Sequence, residues 1–177
     1  NYLYFILLKY TWCIPSAVYH NEPDVSLFDH LKTTASIASC LYLYRLHHPE
    51  ETPSLKTQTF TLIGGDISGI QNYIFDVLTQ QGKVAKRLRA RSLYTQLVSE
   101  IAGHRIVREL NLPLCNLISA AGGNFYILAP NNQRTCDAIH ELQQEFDNWL
   151  MENLGAELSI SLALITLSGS DLKAFSA

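Results

Sequence analysis

Phe60-Thr61-Leu62-Ile63-Gly64-Gly65-Asp66-Ile67-Ser68-Gly69-Ile70-Gln71 is the stretch on which the fold turns. Residues Gln58 to Ile67 are rich in residue types that suit a pleated strand, and the run ends in Gly64-Gly65-Asp66. From about Gly69 the period changes to that of a helix, with Ile70, Tyr73, Ile74, Val77 and Leu78 as its apolar positions. A strand handing over to a helix through glycines has two readings. One is a tight turn with Asp66 as a cap, which spacing alone favours. The other is a phosphate site, because glycine lets backbone approach a ligand and a helix start offers free N–H groups. Asp66 is a carboxylate that suits a divalent metal at that place.

Downstream, a polar break at Gln80-Gln81-Gly82-Lys83 precedes a second helix over about Ala85 to Leu110, with Leu88, Tyr94, Leu97, Val98, Ile101, Ile106 and Val107 apolar. Asn116 to Ala121 reads as a strand, Gly122-Gly123 as a tight turn, and Asn124 to Ala129 as the partner strand. Asn131-Asn132 opens a helix through Ile139, Leu142, Phe146, Trp149 and Leu150 to a cap at Gly155. Glu157 to Leu167 alternates, with Leu158, Ile160, Leu162 and Leu164 on one face. The order β, α, β-hairpin, α, β is the ferredoxin-like βαββαβ pattern, an α+β fold with two helices on one face of a four-stranded antiparallel sheet.

Upstream, His47-His48-Pro49-Glu50-Glu51-Thr52-Pro53-Ser54 interrupts the apolar pattern and reads as a linker, placed at 47–57. Before it, residues 1–46 form a helical part. Asp24 is the expected N-cap of an amphipathic helix to about Leu46, with Leu27, Leu31, Ala35, Ala38 and Leu41 as its apolar row. Tyr2 to Leu8 is expected to be a buried helix or strand. The only methionine of the 177 residues is Met151, and the chain is read as an internal piece of a longer one.

Composition narrows the classes. With 47% hydrophobic and 16% charged residues the chain is not disordered and can bury a core. The first apolar stretch is closed by Lys9, too short for the ~20 residues of a membrane span. It also lacks the flanks of a signal peptide. Cys13, Cys40, Cys115 and Cys136 form no C-x-x-C pair, so a zinc site of ordinary spacing is not expected. They read as small hydrophobes in a cytoplasmic setting.

The formal net charge is −3, yet seven of the thirteen Lys and Arg fall between Lys83 and Arg108. Lys83, Lys86, Arg87, Arg89 and Arg91 have no acid near them in sequence, since none lies between Asp76 and Glu100. Such a run suits a polyphosphate or an RNA backbone. At the hairpin tip, Gly122-Gly123-Asn124 offers an amide where a metal-binding tip would carry carboxylates, so nucleotide contact fits better than metal binding there. His30 is a lone helical histidine beside Asp29, and no second histidine follows at the spacing of a metal pair.

Four stretches together carry a family resemblance. They are DVSLFDHLKTTASIA from Asp24, GGDISGIQNYIF from Gly64, KRLRARSLY from Lys86 and SAAGGNFYILAP from Ser119. In this combination and order the chain resembles the large subunit of type III CRISPR effector complexes, of the Csm type. The resemblance implies the tail of a permuted HD nuclease domain over residues 1–46 and a first palm, polymerase- and cyclase-like, over 58–177. It implies target-RNA-activated synthesis of cyclic oligoadenylates from ATP, with Mg2+ or Mn2+ held mostly by a second palm outside this sequence, and single-stranded DNA cleavage in many members. His30 matches one HD metal ligand. Asp66, Ser68, Gly69 and Gln71 match the turn after the first palm strand, and Gly122, Gly123 and Asn124 its hairpin. Arg87, Arg89 and Arg91 are candidate phosphate contacts. The expected partners are the other subunits of the effector complex, crRNA and target RNA through that complex, and ATP, with no membrane. This piece alone is expected to be inactive. The alternatives are a ferredoxin-like RNA-binding module, with Phe125 and Tyr126 as stacking residues, and a purely structural subunit-contact module.

Overall fold

The computed structural model describes residues 2–16, 24–76, 84–155 and 157–174. Helices α1 (Tyr2–Thr11) and α2 (Leu27–His47) come first. Then follow β1 (Phe60–Ser68), the short α3 (Ile70–Phe75) and the long α4 (Val84–Glu109). A 3-10 turn (Leu114–Asn116) leads into β2 (Leu117–Ala121) and β3 (Asn124–Pro130). Helix α5 (Gln133–Leu154), β4 (Ser159–Leu167) and α6 (Gly169–Ala174) complete the chain. The sheet order is β2-β3-β1-β4, with β1 paired antiparallel to both β3 and β4. This is the expected βαββαβ topology.

One face of the sheet makes the main core. Ile63, Ile67, Phe125, Ile127 and Ile160 meet Val98, Ala102 and Ile106 of α4 and Ile139, Leu142 and Phe146 of α5. Burying the Val, Leu, Ile and Phe side chains among these at about 1.5–3 kcal/mol each is what holds the layers together. Helix α4 runs close to β2, since a Cβ on Gly103 would lie 2.9 Å from Leu117 Cδ1. Its buried row is Thr95, Val98, Ser99, Ala102, Gly103, Ile106 and Val107, so Leu97 and Ile101, expected inside, are exposed.

The other face is covered over one half by α2. Cys40 of that helix packs with Phe60, Leu128 and Leu167. The contact is also polar. The buried Asn116 amide donates to Leu128 O at 2.6 Å and to Cys40 Sγ at 3.3 Å, while Ser39 Oγ donates to Asn116 Oδ1 at 2.9 Å. Lys32 Nζ donates to Ile118 O at 2.7 Å. The 47–57 segment therefore separates α2 from the sheet in sequence but not in packing.

Several expectations need correction. Ser26, not Asp24, caps α2, its hydroxyl accepting from Asp29 N–H at 3.0 Å. The buried row of α2 is Phe28, Ser36, Cys40 and Tyr44, one position on from the row expected, which leaves Leu31, Ala35, Ala38 and Leu41 exposed. The shift has a physical reason: Asn116 of the 3-10 turn accepts from Ser39 and the Ile118 carbonyl of β2 from Lys32, so hydrogen bonds as well as apolar contacts orient the helix. The segment Tyr2–Leu8 is helical, but α1 has no buried residue. Gly64, Gly65 and Asp66 lie inside β1 rather than in a turn, and Asp66 caps nothing; the strand ends at Ser68. Asn116 belongs to the 3-10 turn. Cys13 and Cys136 are exposed rather than small core hydrophobes, while Cys40 is fully buried. Val77, Leu78 and Lys83 lie outside the described residues.

Candidate functional site

Strand alternation sorts β1 into two sets. Ile63, Gly65 and Ile67 face the α4–α5 core. Leu62, Gly64, Asp66 and Ser68 face the other way. Gly65 admits the fully buried Phe125 ring: a Cβ there would lie 2.0 Å from Phe125 Cζ. Gly64 lies beside the half-exposed Tyr126, with ordinary contact at 3.7 Å for an added Cβ. It leaves the sheet surface open where α2 no longer covers it.

Over that surface lies a groove of about 290 Å³, lined by Gly64, Asp66, Asn124, Tyr126, Ser161 and Ala163 among others. The register places Asp66 between Asn124 on β3 and Ser161 on β4. Ser68 Oγ donates to Asp66 Oδ2 at 3.2 Å. The rim thus carries one carboxylate, one amide and hydroxyls, all exposed to solvent.

The end of the groove is built by two chain reversals. Gly69 has φ 88°, and a Cβ there would also meet Glu157 O at 2.4 Å, so this position requires glycine twice over. Gly123 has φ 96°, and an added Cβ would lie 2.4 Å from Ile70 Cδ1. Its carbonyl accepts from Ile67 N–H at 2.9 Å. The first residue of α3 therefore packs directly on the hairpin tip. Asp66, Ser68, Gly69, Gly122, Gly123 and Asn124 are brought together at this end of the sheet, and Gln71 is exposed in the first turn of α3.

The basic residues are placed differently. Arg91 is half-buried; it donates to Tyr73 O, with its guanidinium 4.7 Å from the centre of the Tyr73 ring. Arg89 lines a separate cleft with Ile74, Phe75 and Leu88. Arg87 is exposed on α4, the helix of the opposite sheet face. His30 is exposed on α2, and among the described residues no group of three His, Cys, Asp or Glu could hold a metal. A metal pair needs several hard oxygen ligands, and Asp66 facing an amide and a hydroxyl does not supply them. Ser161 was missed by sequence reasoning. The only signal was its place in the β4 alternation, which becomes meaningful once β4 is known to pair with Asp66.

Residues 59–177 match the family described as Csm1 subunit domain B. The chain belongs to the Csm1 family. Its relatives include a CRISPR system single-strand-specific deoxyribonuclease Cas10/Csm1 (subtype III-A) of Methanocaldococcus jannaschii, 33% identical over 97% of this chain and 24% of the relative. The crystal structure of Csm1 from T. onnurineus matches with a TM-score of 0.80 and 30% identity, over 96% of this chain and 23% of that one. Csm1–Csm4 cassette structures in complex with AMPPNP and with cA4 match at TM-scores of 0.77 and 0.76, each at 30% identity, covering 94% of this chain and 22% of theirs. The chain thus spans about a quarter of the length of these relatives. It is a piece of a Csm-type large subunit of type III CRISPR systems, with the α+β fold of that family. No helix among the described residues is long and apolar enough to cross a membrane.

Proposed function

We propose that the open end of the sheet is the non-catalytic half of a composite ATP site for cyclic oligoadenylate synthesis. In this reading residues 58–177 are the first palm of a Csm1-family protein and residues 1–46 are the tail of its HD domain. A single observation carries it: the groove over Gly64, lined by Asp66, Asn124 and Ser161 and with Ser68 bonded to its carboxylate, opens beside two glycine-dependent reversals and presents exposed polar side chains to solvent. Relatives of the same fold have been solved with AMPPNP and cA4, which supports a nucleotide as the occupant.

The residues present suit holding a nucleotide rather than activating one. Gly64 leaves the floor clear. The Asn124 amide can both donate and accept, and the Ser68 and Ser161 hydroxyls do the same, which is the pattern needed for a ribose or a base edge. Metal-assisted attack needs carboxylates that this half does not offer, so the second palm of the family's large subunit supplies Mg2+ or Mn2+. The other effector subunits, and crRNA and target RNA through them, are the proposed partners. The RNA-binding alternative loses one of its two stacking residues, because Phe125 is fully buried.

Titration calorimetry of the full-length protein with AMPPNP tests the reading. Ser68→Ala and Asn124→Ala each weaken binding and lower cyclic oligoadenylate yield. Unchanged binding by both variants removes the assignment.

A further inference from the structure

The sequence makes Arg91 a candidate phosphate ligand, but its geometry points elsewhere. Its guanidinium donates to the Tyr73 carbonyl and stacks on the Tyr73 ring, 4.7 Å from the centroid. Tyr73 in turn lies beside Tyr94 of α4, ring centroids 6.1 Å apart. Burial raises the Tyr73 hydroxyl above its ordinary pKa, with Arg91 the main opposing influence. A cation that is half-buried over an aromatic face, with a backbone carbonyl as acceptor, is committed to that place.

What it fixes is α3. This helix has only six residues, too few to be stable without tertiary support. Its last turn is tied to α4 through Arg91 and Tyr73. Its first turn carries Ile70 against Gly123, and Gly69 sits under the Glu157 carbonyl. A shift of α3 would therefore move the hairpin tip, and with it Asn124 against Asp66.

We propose that Arg91 is a positioning residue: through Tyr73 and α3 it sets the Gly122–Gly123 hairpin, and so the shape of the groove, without touching the ligand. The functional half of this statement rests on the nucleotide-site reading above, whereas the link from Arg91 to the hairpin does not.

The test uses the full-length protein with Arg91→Ala and Arg91→Lys, two probes, AMPPNP and adenosine, and amide hydrogen exchange without ligand. In Arg91→Ala, exchange speeds up at Ile70–Phe75 and at Gly122–Asn124, while β4 stays protected. Binding of both probes weakens by the same factor, about tenfold for the loss of one cation–π contact and its hydrogen bond. Arg91→Lys, which keeps the charge and a donor, recovers most of both effects. Loss of AMPPNP affinity with adenosine unchanged makes Arg91 a phosphate ligand and overturns the proposal. Unchanged exchange at the hairpin in Arg91→Ala overturns it as well. Ser68→Ala and Asn124→Ala serve as the separate control on the groove: if both bind AMPPNP as the wild type does, the nucleotide reading falls, and the exchange data still decide the link between Arg91 and the hairpin.

Discussion

The adjacent residues Gly64 and Gly65 have different duties, and substitution separates them. Gly65→Ala drives a methyl into the Phe125 ring, which is fully buried and cannot swing away. We expect a loss of about 1–3 kcal/mol in denaturant unfolding, the usual cost of overpacking. Gly64→Ala meets Tyr126 only at ordinary contact distance and leaves the unfolding midpoint close to that of the wild type. The cysteines divide in a similar way. Burial pushes the Cys40 thiol from 9.0 up to about 12, so a thiol reagent at neutral pH labels Cys13 and Cys136 and spares Cys40 in the folded protein. The sign for stability follows from the same shift. The folded state disfavours the Cys40 thiolate, so its contribution is intact below the ordinary thiol value and is lost as the pH rises toward about 12. Unfolding midpoints followed from neutral to strongly alkaline pH check this direction.

At the scale of elements, caps and alternation were the legible part of the sequence. Asn132 accepts from Thr135 N–H at 2.9 Å, and Gly155 ends α5 with φ 55°, both as the sequence indicates. Strands β1, β3 and β4 follow from their β-rich or alternating pattern. The apolar row of α2 in sequence lies one position from its buried row, because polar partners orient the helix as well as apolar contacts. Its orientation depends on Asn116, which lies 76 residues from Cys40 in sequence, and no local pattern reveals such a partner. The same limit applies to the site. Asp66 and Asn124 could be named from glycine-rich motifs, whereas Ser161 emerges only from strand pairing and the engagement of Arg91 with Tyr73 only from packing. Removing a cap tests the local part of this account. Ser26→Ala and Asn132→Ala each cost about 1 kcal/mol in thermal or urea unfolding. The first effect is expected at Ser26 because it is Ser26 that accepts from Asp29 N–H.

At the scale of the molecule, α2 and the sheet share a buried polar joint that helps to hold them together. Asn116→Ala would remove the amide's bonds to Leu128 O and Cys40 Sγ and its acceptor for Ser39 Oγ, which keeps Ser36 O, at a cost of about 1–2 kcal/mol in chemical denaturation. Loss of far less would mean that apolar contacts carry the joint alone. The proposed half-site is, in that reading, completed by another part of the large subunit. The chain by itself, supplied with ATP and Mg2+, is expected to yield no cyclic product by chromatography, and robust conversion would refute the non-catalytic assignment. The two-sidedness of β1 has one more consequence. Its inward residues maintain the fold and its outward residues edge the groove, so the two can be inherited separately. If the groove is the proposed half-site, a lineage could silence it by changing Gly64 or Ser68 while the protein still accumulated normally in the cell. Screens that score abundance would miss such alleles, and an assay of nucleotide binding would expose them.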